Sequence, residues 1–151
     1  MDLDREIAAI GARARAAART LAPLDRAKKD AGLRAIASGL RGSRSAVLAA
    51  NARDLDAARA AGTSGAMLDR LALDEARVEA MAASVESIAT LADPVGEVIA
   101  RTERPSGIRV TRVRVPIGVI AMIYEARPNV TIEASALTLK AGNAVVLRGG
   151  S

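Results

Sequence analysis

Two polar loops, each directly after an apolar run, carry the residue types that could do binding chemistry. The first loop, Glu125–Asn129, follows the apolar run Val119–Tyr124, and the second, Arg148–Ser151, follows the run Asn143–Leu147. In open α/β sheets, ligands bind beyond the carboxyl ends of the strands. The two loops are therefore the candidate ligand site. Because the sequence has neither a GxGxxG nor a Walker A motif, their spacing alone does not identify a nucleotide site.

The amino-acid composition excludes several kinds of bond-making chemistry. The 151 residues include no cysteine and no histidine. The sequence therefore provides no disulfide framework, no zinc site of the usual kind, and no Cys–His or Ser–His–Asp catalytic system. We predict that these residues hold no metal ion, and that any chemistry they perform is the binding and orientation of ligands.

The net charge of +5 is compatible with a nucleic acid or a membrane surface as partner, but other features disfavour both. Basic residues alternate with acidic ones along the predicted helices, and Tyr124 is the only aromatic side chain available for base stacking. No apolar run reaches the roughly 18 residues that span a membrane. The N-terminal segment is acidic and lacks the apolar core of a secretory signal, so we expect a cytoplasmic protein.

Residues 2 to about 91 show the three- and four-residue spacing of amphipathic helices. We expect their apolar stripes to form the core rather than a ligand pocket, with Met67 and Met81 as core fillers. The residues that end or cap these helices are Pro23, Gly42, Ser43 or Ser45, Gly62, Thr63 or Ser64, Asp74 and Asp93-Pro94.

After Gly96 the spacing changes to that of strands and predicts a β-hairpin over Glu97–Val115. Pro at the second and Gly at the fourth position of Arg104–Gly107 suit a type I turn. A phase slip at Thr111–Arg112 predicts a β-bulge or a strand that crosses between two sheets. The hairpin is either a solvent-facing ribbon or an edge for oligomerisation. The basic residues expected at exposed strand positions are Arg109, Arg112 and Arg114.

The segment that begins at Pro116 predicts one right-handed βαβ unit. Its first apolar run is typical of a strand buried on both faces of a parallel sheet. A helix follows over about Val130–Ala141, ends at Gly142, and leads into a second buried strand, Asn143–Leu147. The helix residues expected to face the sheet are Ile132, Ala136, Leu137 and Ala141. A lone βαβ unit does not cover its own sheet, so we expect further strands.

Two sequence strings within this segment are specific to a known family. PIGVIAMIYEARPNVT and LKAGNAVVLRGGS resemble the γ-glutamyl phosphate reductases, or glutamate-5-semialdehyde dehydrogenases, of the aldehyde dehydrogenase superfamily. The strings AANARDLDAARAAG, AMLDRLAL and LADPVGEVI extend the resemblance over most of the chain. It implies an α/β fold: N-terminal helices (1–96), an oligomerisation hairpin (97–115) and the truncated opening βαβ of a Rossmann-like dinucleotide-binding sheet (116–151).

The resemblance also implies a reaction and its partners. The family reduces γ-glutamyl phosphate to glutamate 5-semialdehyde with NADPH, releases phosphate, and serves proline biosynthesis. Members self-associate through the hairpin, so we expect a homo-oligomer. The chemistry uses a cysteine that forms a thioester. Since this sequence has no cysteine, we expect an N-terminal fragment that is inactive by itself. The alternative is a non-catalytic remnant that acts only in association.

Specific residues of the two loops acquire roles by this resemblance. Asn129 matches an amide that donates to the oxyanion, although the same residue would serve equally to cap the following helix. Arg127 lies beside the cofactor, holds the anionic substrate, or is a plain surface charge. Arg148 suits a 2′-phosphate and hence NADP. Lys140 is expected to be a solvated residue near a helix C-terminus. The full set of expected cofactor-binding residues is Tyr124, Glu125, Ala126, Arg127, Arg148, Gly149 and Gly150.

Overall fold

The computed structural model describes residues 2–125 and 127–149, which form six helices and four strands. In chain order these are α1 (Leu3–Leu21), α2 (Arg26–Gly42), α3 (Arg44–Ala60), α4 (Gly65–Leu71), α5 (Glu75–Thr90), β1 (Val98–Glu103), β2 (Arg109–Val113), β3 (Val119–Ile123), α6 (Pro128–Lys140) and β4 (Ala144–Arg148). The mixed helix and strand architecture agrees with the α/β prediction. Within the described ranges, no helix combines the length and apolar character needed to cross a membrane.

The helices begin and end where the sequence predicts. Asp74 caps α5, and its carboxylate accepts a hydrogen bond from the Arg77 N–H at 2.7 Å. Asp2 and Asp25 cap α1 and α2 in the same way. Gly142, which follows α6, has a φ of +73°, a conformation that side chains with a Cβ rarely adopt. Side-chain capping thus sets the start of three helices, whereas Ser43 and Ser64 occupy the N-cap positions of α3 and α4 without a capping hydrogen bond.

The core lies where α2, α5 and α6 meet. Leu33, Ala37, Val85 and Ala136 are fully buried there. Small side chains at these positions compensate for the lack of aromatic residues, because they let helices pack closely. Met81 is buried as predicted.

Several apolar side chains of the helices that were expected in the core are exposed, among them Ile7 at 59 % and Leu91 at 49 %. Met67 is 47 % exposed because the short helix α4 packs mainly on α3 and lies away from the core. Leu137 is 51 % exposed, because it lies on the solvent side of α6, whose buried side packs on α2, α5 and β4. Ile132 and Ala136, which were expected to face the sheet, belong to that helical core.

The hairpin forms as predicted, with β1 and β2 antiparallel and exposed on both faces. The Gly107 N–H donates to the Arg104 carbonyl at 2.8 Å and closes the expected turn. The irregularity in register lies between Val98 and Ala100 on β1, opposite Val113 and Arg112. The predicted bulge is therefore real, but the extra residue is on the strand opposite the predicted one.

Strands β3 and β4 pair in parallel and are joined by α6, which confirms the βαβ unit. The prediction that β3 is buried on both faces is wrong: Ile123 is 84 % exposed. Helices α1 and α6 pack against β4, whereas β3 forms the open edge of a sheet that has two strands in the described residues. A continuous apolar run is therefore not by itself a sign that a strand is buried on both faces.

The prediction that Lys140 is solvated is also wrong, since it is only 3 % exposed. Its ammonium lies 2.5 Å from the Asp30 carboxylate and donates to the Ala89 carbonyl at 2.9 Å. The last turn of α6 packs between α2 and the C-terminal end of α5, so the side chain meets protein rather than water.

Candidate functional site

The register of the parallel sheet brings the two predicted loops side by side. Ile123 pairs with Arg148 at the carboxyl ends of β3 and β4, and the Tyr124 N–H donates to the Arg148 carbonyl at 3.1 Å. The juxtaposition expected from the βαβ pattern is therefore present. Ala126, Gly150 and Ser151 lie outside the described residues.

Tyr124 joins the first loop to α6 and to the second loop. Its hydroxyl lies 2.5 Å from the Thr131 hydroxyl in the first turns of α6. A Cβ added at Gly149 would lie 3.6 Å from the same hydroxyl, which is ordinary van der Waals distance. The half-buried ring therefore packs beneath the second loop. Gly149 leaves room above the ring, but the spacing there does not by itself demand glycine.

The loop after β3 is held at both sides. Arg127 occupies the N-cap position of α6, and its backbone N–H donates to the Glu125 carbonyl at 2.8 Å. The Glu125 carboxylate lies 3.9 Å from the Arg70 guanidinium of α4, and both side chains are mostly exposed. Pro128 is the first helical residue, where its missing N–H is not needed.

Asn129 does not cap α6. It is the second residue of the helix, and the cap position belongs to Arg127, whose side chain makes no capping hydrogen bond. The capping alternative for Asn129 is therefore wrong. Its exposed amide stands at the positive end of the helix dipole, where an oxyanion would be favoured.

A cleft of about 410 Å³ opens beside Asn129, between α4, α5 and α6. The polar and charged residues that line it are Asp69, Arg70, Arg77, Arg127, Asn129 and Glu133, with Met81 among the apolar ones. Sequence reasoning identified Arg127 and Asn129 but missed the α4 and α5 residues. Their helical spacing is that of solvated charges, and the only signal was the string AMLDRLAL, which contains Asp69 and Arg70.

Arg77 fixes one wall of this cleft. Its guanidinium donates to the Asp69 and Ala72 carbonyls at 2.5 and 2.7 Å and to the Asp69 carboxylate at 2.9 Å. These bonds satisfy carbonyls at the end of α4 and fix the conformation of the turn that connects α4 to α5. Arg77 is thus committed to protein contacts, and it holds Asp69 in place.

The predicted site residues fall into two groups. Tyr124, Arg148 and Gly149 lie at the carboxyl edge of the sheet, whereas Arg127 and Asn129 line the cleft. The Arg148 side chain is exposed and its guanidinium donates to the Gly149 carbonyl. Among the described residues, no cluster of three or more acidic side chains is arranged to hold a metal ion.

Comparison with known proteins gives a consistent result. The chain is 61 % identical over 155 aligned positions to the γ-glutamyl phosphate reductase of Sorangium cellulosum and 55 % identical over 150 to that of Methylorubrum extorquens strain PA1. Each alignment covers 99 % of the chain, but only 36 % and 35 % of the respective relative. The chain therefore spans about a third of the length of the curated relatives it matches. No protein-family model matches the chain.

Solved structures agree with the sequence relatives. The γ-glutamyl phosphate reductase of Thermotoga maritima superposes with a TM-score of 0.87 at 44 % identity, covering 91 % of this chain and 33 % of that one. The Saccharomyces cerevisiae enzyme gives 0.86 at 34 % identity, covering 91 % of this chain and 35 % of that one. Sequence and fold thus match the same enzymes over the same part of their length.

Proposed function

The chain belongs by sequence to the γ-glutamyl phosphate reductase family, and we propose that it forms part of an NADP(H)-dependent reductase of proline biosynthesis. The reaction consumes γ-glutamyl phosphate, NADPH and a proton, and yields L-glutamate 5-semialdehyde, NADP⁺ and phosphate. The 61 % identity to a named reductase across 99 % of the chain is the observation that carries this proposal. The same identity disfavours a non-catalytic association module.

We assign binding and orientation, rather than covalent chemistry, to these 151 residues. The resemblance implies a cysteine thioester, and the sequence has no cysteine. NADPH supplies the hydride when it is bound. The contribution of this segment is to hold ligands in a reactive geometry, a role that accounts for much of enzymatic rate acceleration. The 151-residue chain alone should therefore have no reductase activity.

We propose that the cofactor binds at the carboxyl ends of β3 and β4. Arg148 stands at the end of β4 with an exposed guanidinium, which suits a 2′-phosphate. Gly149 exposes backbone beside it, and Tyr124 fixes the neighbouring loop. The other residues assigned to the cofactor by the resemblance are Glu125, Ala126, Arg127 and Gly150.

Asn129 is our proposed oxyanion donor. An amide that donates a hydrogen bond to the oxygen that becomes negative lowers the barrier by a few kcal/mol in other acyl-transfer enzymes. Two features support the assignment: the side chain is exposed, and it stands at the N-terminal end of α6.

We also propose that the full protein is a cytoplasmic homo-oligomer that associates through residues 97–115. The hairpin exposes several apolar side chains to solvent, which favours their burial against another chain. These are Val98, Ile99, Ile108, Val110 and Val113. Light scattering of the full-length protein with and without the hairpin tests this point.

The decisive test of the reaction uses the full-length protein that contains this segment. We expect NADP⁺ reduction that requires both L-glutamate 5-semialdehyde and phosphate. Arg148→Ala should raise the KM for NADP⁺ about tenfold or more and leave the KM for NAD⁺ nearly unchanged, since the lost hydrogen bond to a charged group is worth about 1.5–3 kcal/mol. Arg53→Ala, on the exposed face of α3, is the control. A full-length protein without phosphate-dependent turnover would contradict the proposed function.

A further inference from the structure

We propose that the cleft between α4, α5 and α6 binds the amino-acid end of the substrate, with Arg70 as partner of the α-carboxylate and Glu133 as partner of the α-ammonium. This assignment rests on the proposed function, because it concerns the substrate of that reaction. It adds a specificity site to residues that neither the sequence pattern nor the resemblance singled out.

The position and size of the cleft fit this role. Asn129 also lines it, so a ligand bound there would lie beside the proposed oxyanion donor. A volume of about 410 Å³ lies within the range of roughly 300–1,000 Å³ that is usual for small-molecule sites. Met81 contributes an apolar surface to the wall, against which the methylene groups of a glutamyl chain can pack.

The charges in the cleft are not equally available to a ligand. Arg77 and Asp69 bond to each other at 2.9 Å and to the backbone, so they shape the wall. Among the described residues Arg70 makes one long ion pair, with its guanidinium 3.9 Å from the Glu125 carboxylate and its own side chain 52 % exposed. Charge-assisted hydrogen bonds are much shorter, about 2.7–2.9 Å. The Arg70 guanidinium is therefore free to exchange Glu125 for a ligand carboxylate.

Glu133 supplies the opposite charge. It lies one turn along α6 from Asn129, is half-buried, and makes no ion pair with the residues that the structure describes. A guanidinium from α4 and a carboxylate from α6 thus line the same cleft, and their charges complement the carboxylate and ammonium that an α-amino acid carries on one carbon. Arginine is the suited partner for the planar carboxylate, since it can bind both oxygens at once.

The alternative occupant of the cleft is the phosphate group of the substrate, which Arg70 and Arg127 would also attract. We favour the amino-acid end because Asp69 and Glu133 both line the cleft, and carboxylates repel phosphate. The two assignments predict changes in different kinetic constants, so one experiment separates them.

The test measures the full-length protein in the direction of semialdehyde oxidation, with NADP⁺ and phosphate as the other substrates. Arg70→Ala should raise the KM for L-glutamate 5-semialdehyde about tenfold or more, as expected for a lost hydrogen bond to a charged group. The KM values for NADP⁺ and phosphate should stay at the wild-type level, and Arg70→Lys should be intermediate. Arg59→Ala is the matched control, because Arg59 is 59 % exposed and bonds only to Asp56 in its own helix.

Inhibition by substrate analogues identifies which charge each residue binds. L-glutamate should inhibit the wild type more strongly than 4-aminobutyrate, which lacks the α-carboxylate, and more strongly than glutarate, which lacks the amine. Arg70→Ala should abolish the first preference and Glu133→Gln the second. If the Arg70→Ala protein is active and its KM for the semialdehyde is unchanged, or if its KM for phosphate is raised, the assignment of the cleft is wrong. The proposed function would still stand in either case. An inactive wild type would overturn the proposed function itself.

Discussion

The Lys140 ammonium lies 2.5 Å from the Asp30 carboxylate although 110 positions separate the two residues in the chain. The same ammonium donates to the Ala89 carbonyl at 2.9 Å, at the end of α5. One buried cation thus joins α2, α5 and α6, the three helices that form the core. It also holds the end of α6 from which β4 begins, and so it fixes the sheet that carries the candidate site.

A second buried pair stands next to the first. Lys29 is 1 % exposed, and its ammonium lies 2.5 Å from the Asp93 carboxylate in the segment after α5. Burial by itself raises the pKa of the Asp93 carboxyl, but the charge of Lys29 and the Val95 N–H bring it below its ordinary value. The hydrogen bond from Lys140 is the main cause that lowers the pKa of Asp30. Both carboxylates are therefore stabilised in the ionised form.

The first prediction concerns the Lys140–Asp30 pair. Lys140→Met should lower the thermal midpoint by several degrees, because it leaves a carboxylate and a carbonyl in the core without their cation. Asp30→Asn should also destabilise, and the double variant should lose clearly less than the sum of the two. Lys28→Met is the control, since Lys28 is 69 % exposed. Additive effects in this double-mutant cycle would mean that the pair is not coupled.

The second prediction concerns acid stability and a surface cluster. Arg41 of α2 bonds to Glu79 and Glu86 of α5 at 2.7 and 2.6 Å, and these bonds lower the pKa of both carboxyls. A carboxyl with a lowered folded-state pKa binds fewer protons than it does in the unfolded chain. Each carboxyl therefore contributes to the free energy of unfolding at pH values above its ordinary pKa of 4.5. This contribution is lost as the pH falls through the lowered pKa of the folded state.

The urea midpoint should accordingly fall as the pH drops below about 4.5, and fall further as Asp30 and Asp93 become protonated. Replacing both Glu79 and Glu86 by Gln should reduce stability at pH 7 and flatten this dependence. Glu75→Gln is the control, because that carboxylate is 76 % exposed and lies 3.7 Å from its partner, Arg44. An equally steep acid dependence in the double variant would contradict the prediction.

The helices could be predicted from the sequence because their signals are local. Apolar spacing and capping residues such as Asp74 act within one or two turns, and they give boundaries close to those observed. Lys140 could not be predicted, because its partner Asp30 lies on a helix far away in the chain. The exposure of Ile123 has a similar cause, since burial of a strand depends on what packs against it.

The residues of the candidate site also fall into those that local sequence patterns predict and those that only tertiary packing places. Tyr124 and Arg148 were predictable because a parallel βαβ unit always brings the ends of its two strands together. Arg70 and Arg77 were not, since a charge on a predicted amphipathic helix is usually solvated. Only the three-dimensional arrangement, in which α4, α5 and the start of α6 line one cleft, brings these charges together.

The third prediction concerns Asn51, which supports the cleft from behind. Its side chain is buried, donates to the Leu71 carbonyl at 2.9 Å and accepts from the Leu73 N–H at 2.7 Å. Asn51→Ala should cost about 1–3 kcal/mol in urea unfolding, because both backbone groups lose their partner. It should also raise the KM for the semialdehyde, since Asn51 holds the end of α4, the helix that carries Arg70. Asn51→Asp keeps the acceptor but places a carboxylate against a carbonyl, so it should not rescue either effect.

The last prediction concerns the hydrogen bond between Tyr124 and Thr131. Tyr124→Phe keeps the ring beneath Gly149 but removes the hydroxyl, so it should cost about 0.5–1.5 kcal/mol of stability. Because the loop after β3 then loses its tie to α6, the KM for NADP⁺ in the full-length protein should also rise. Thr131→Val should have the same two effects. The double variant should be no worse than either single one, since both remove one bond. Independent losses that add in the double variant would show that the two hydroxyls act through separate contacts.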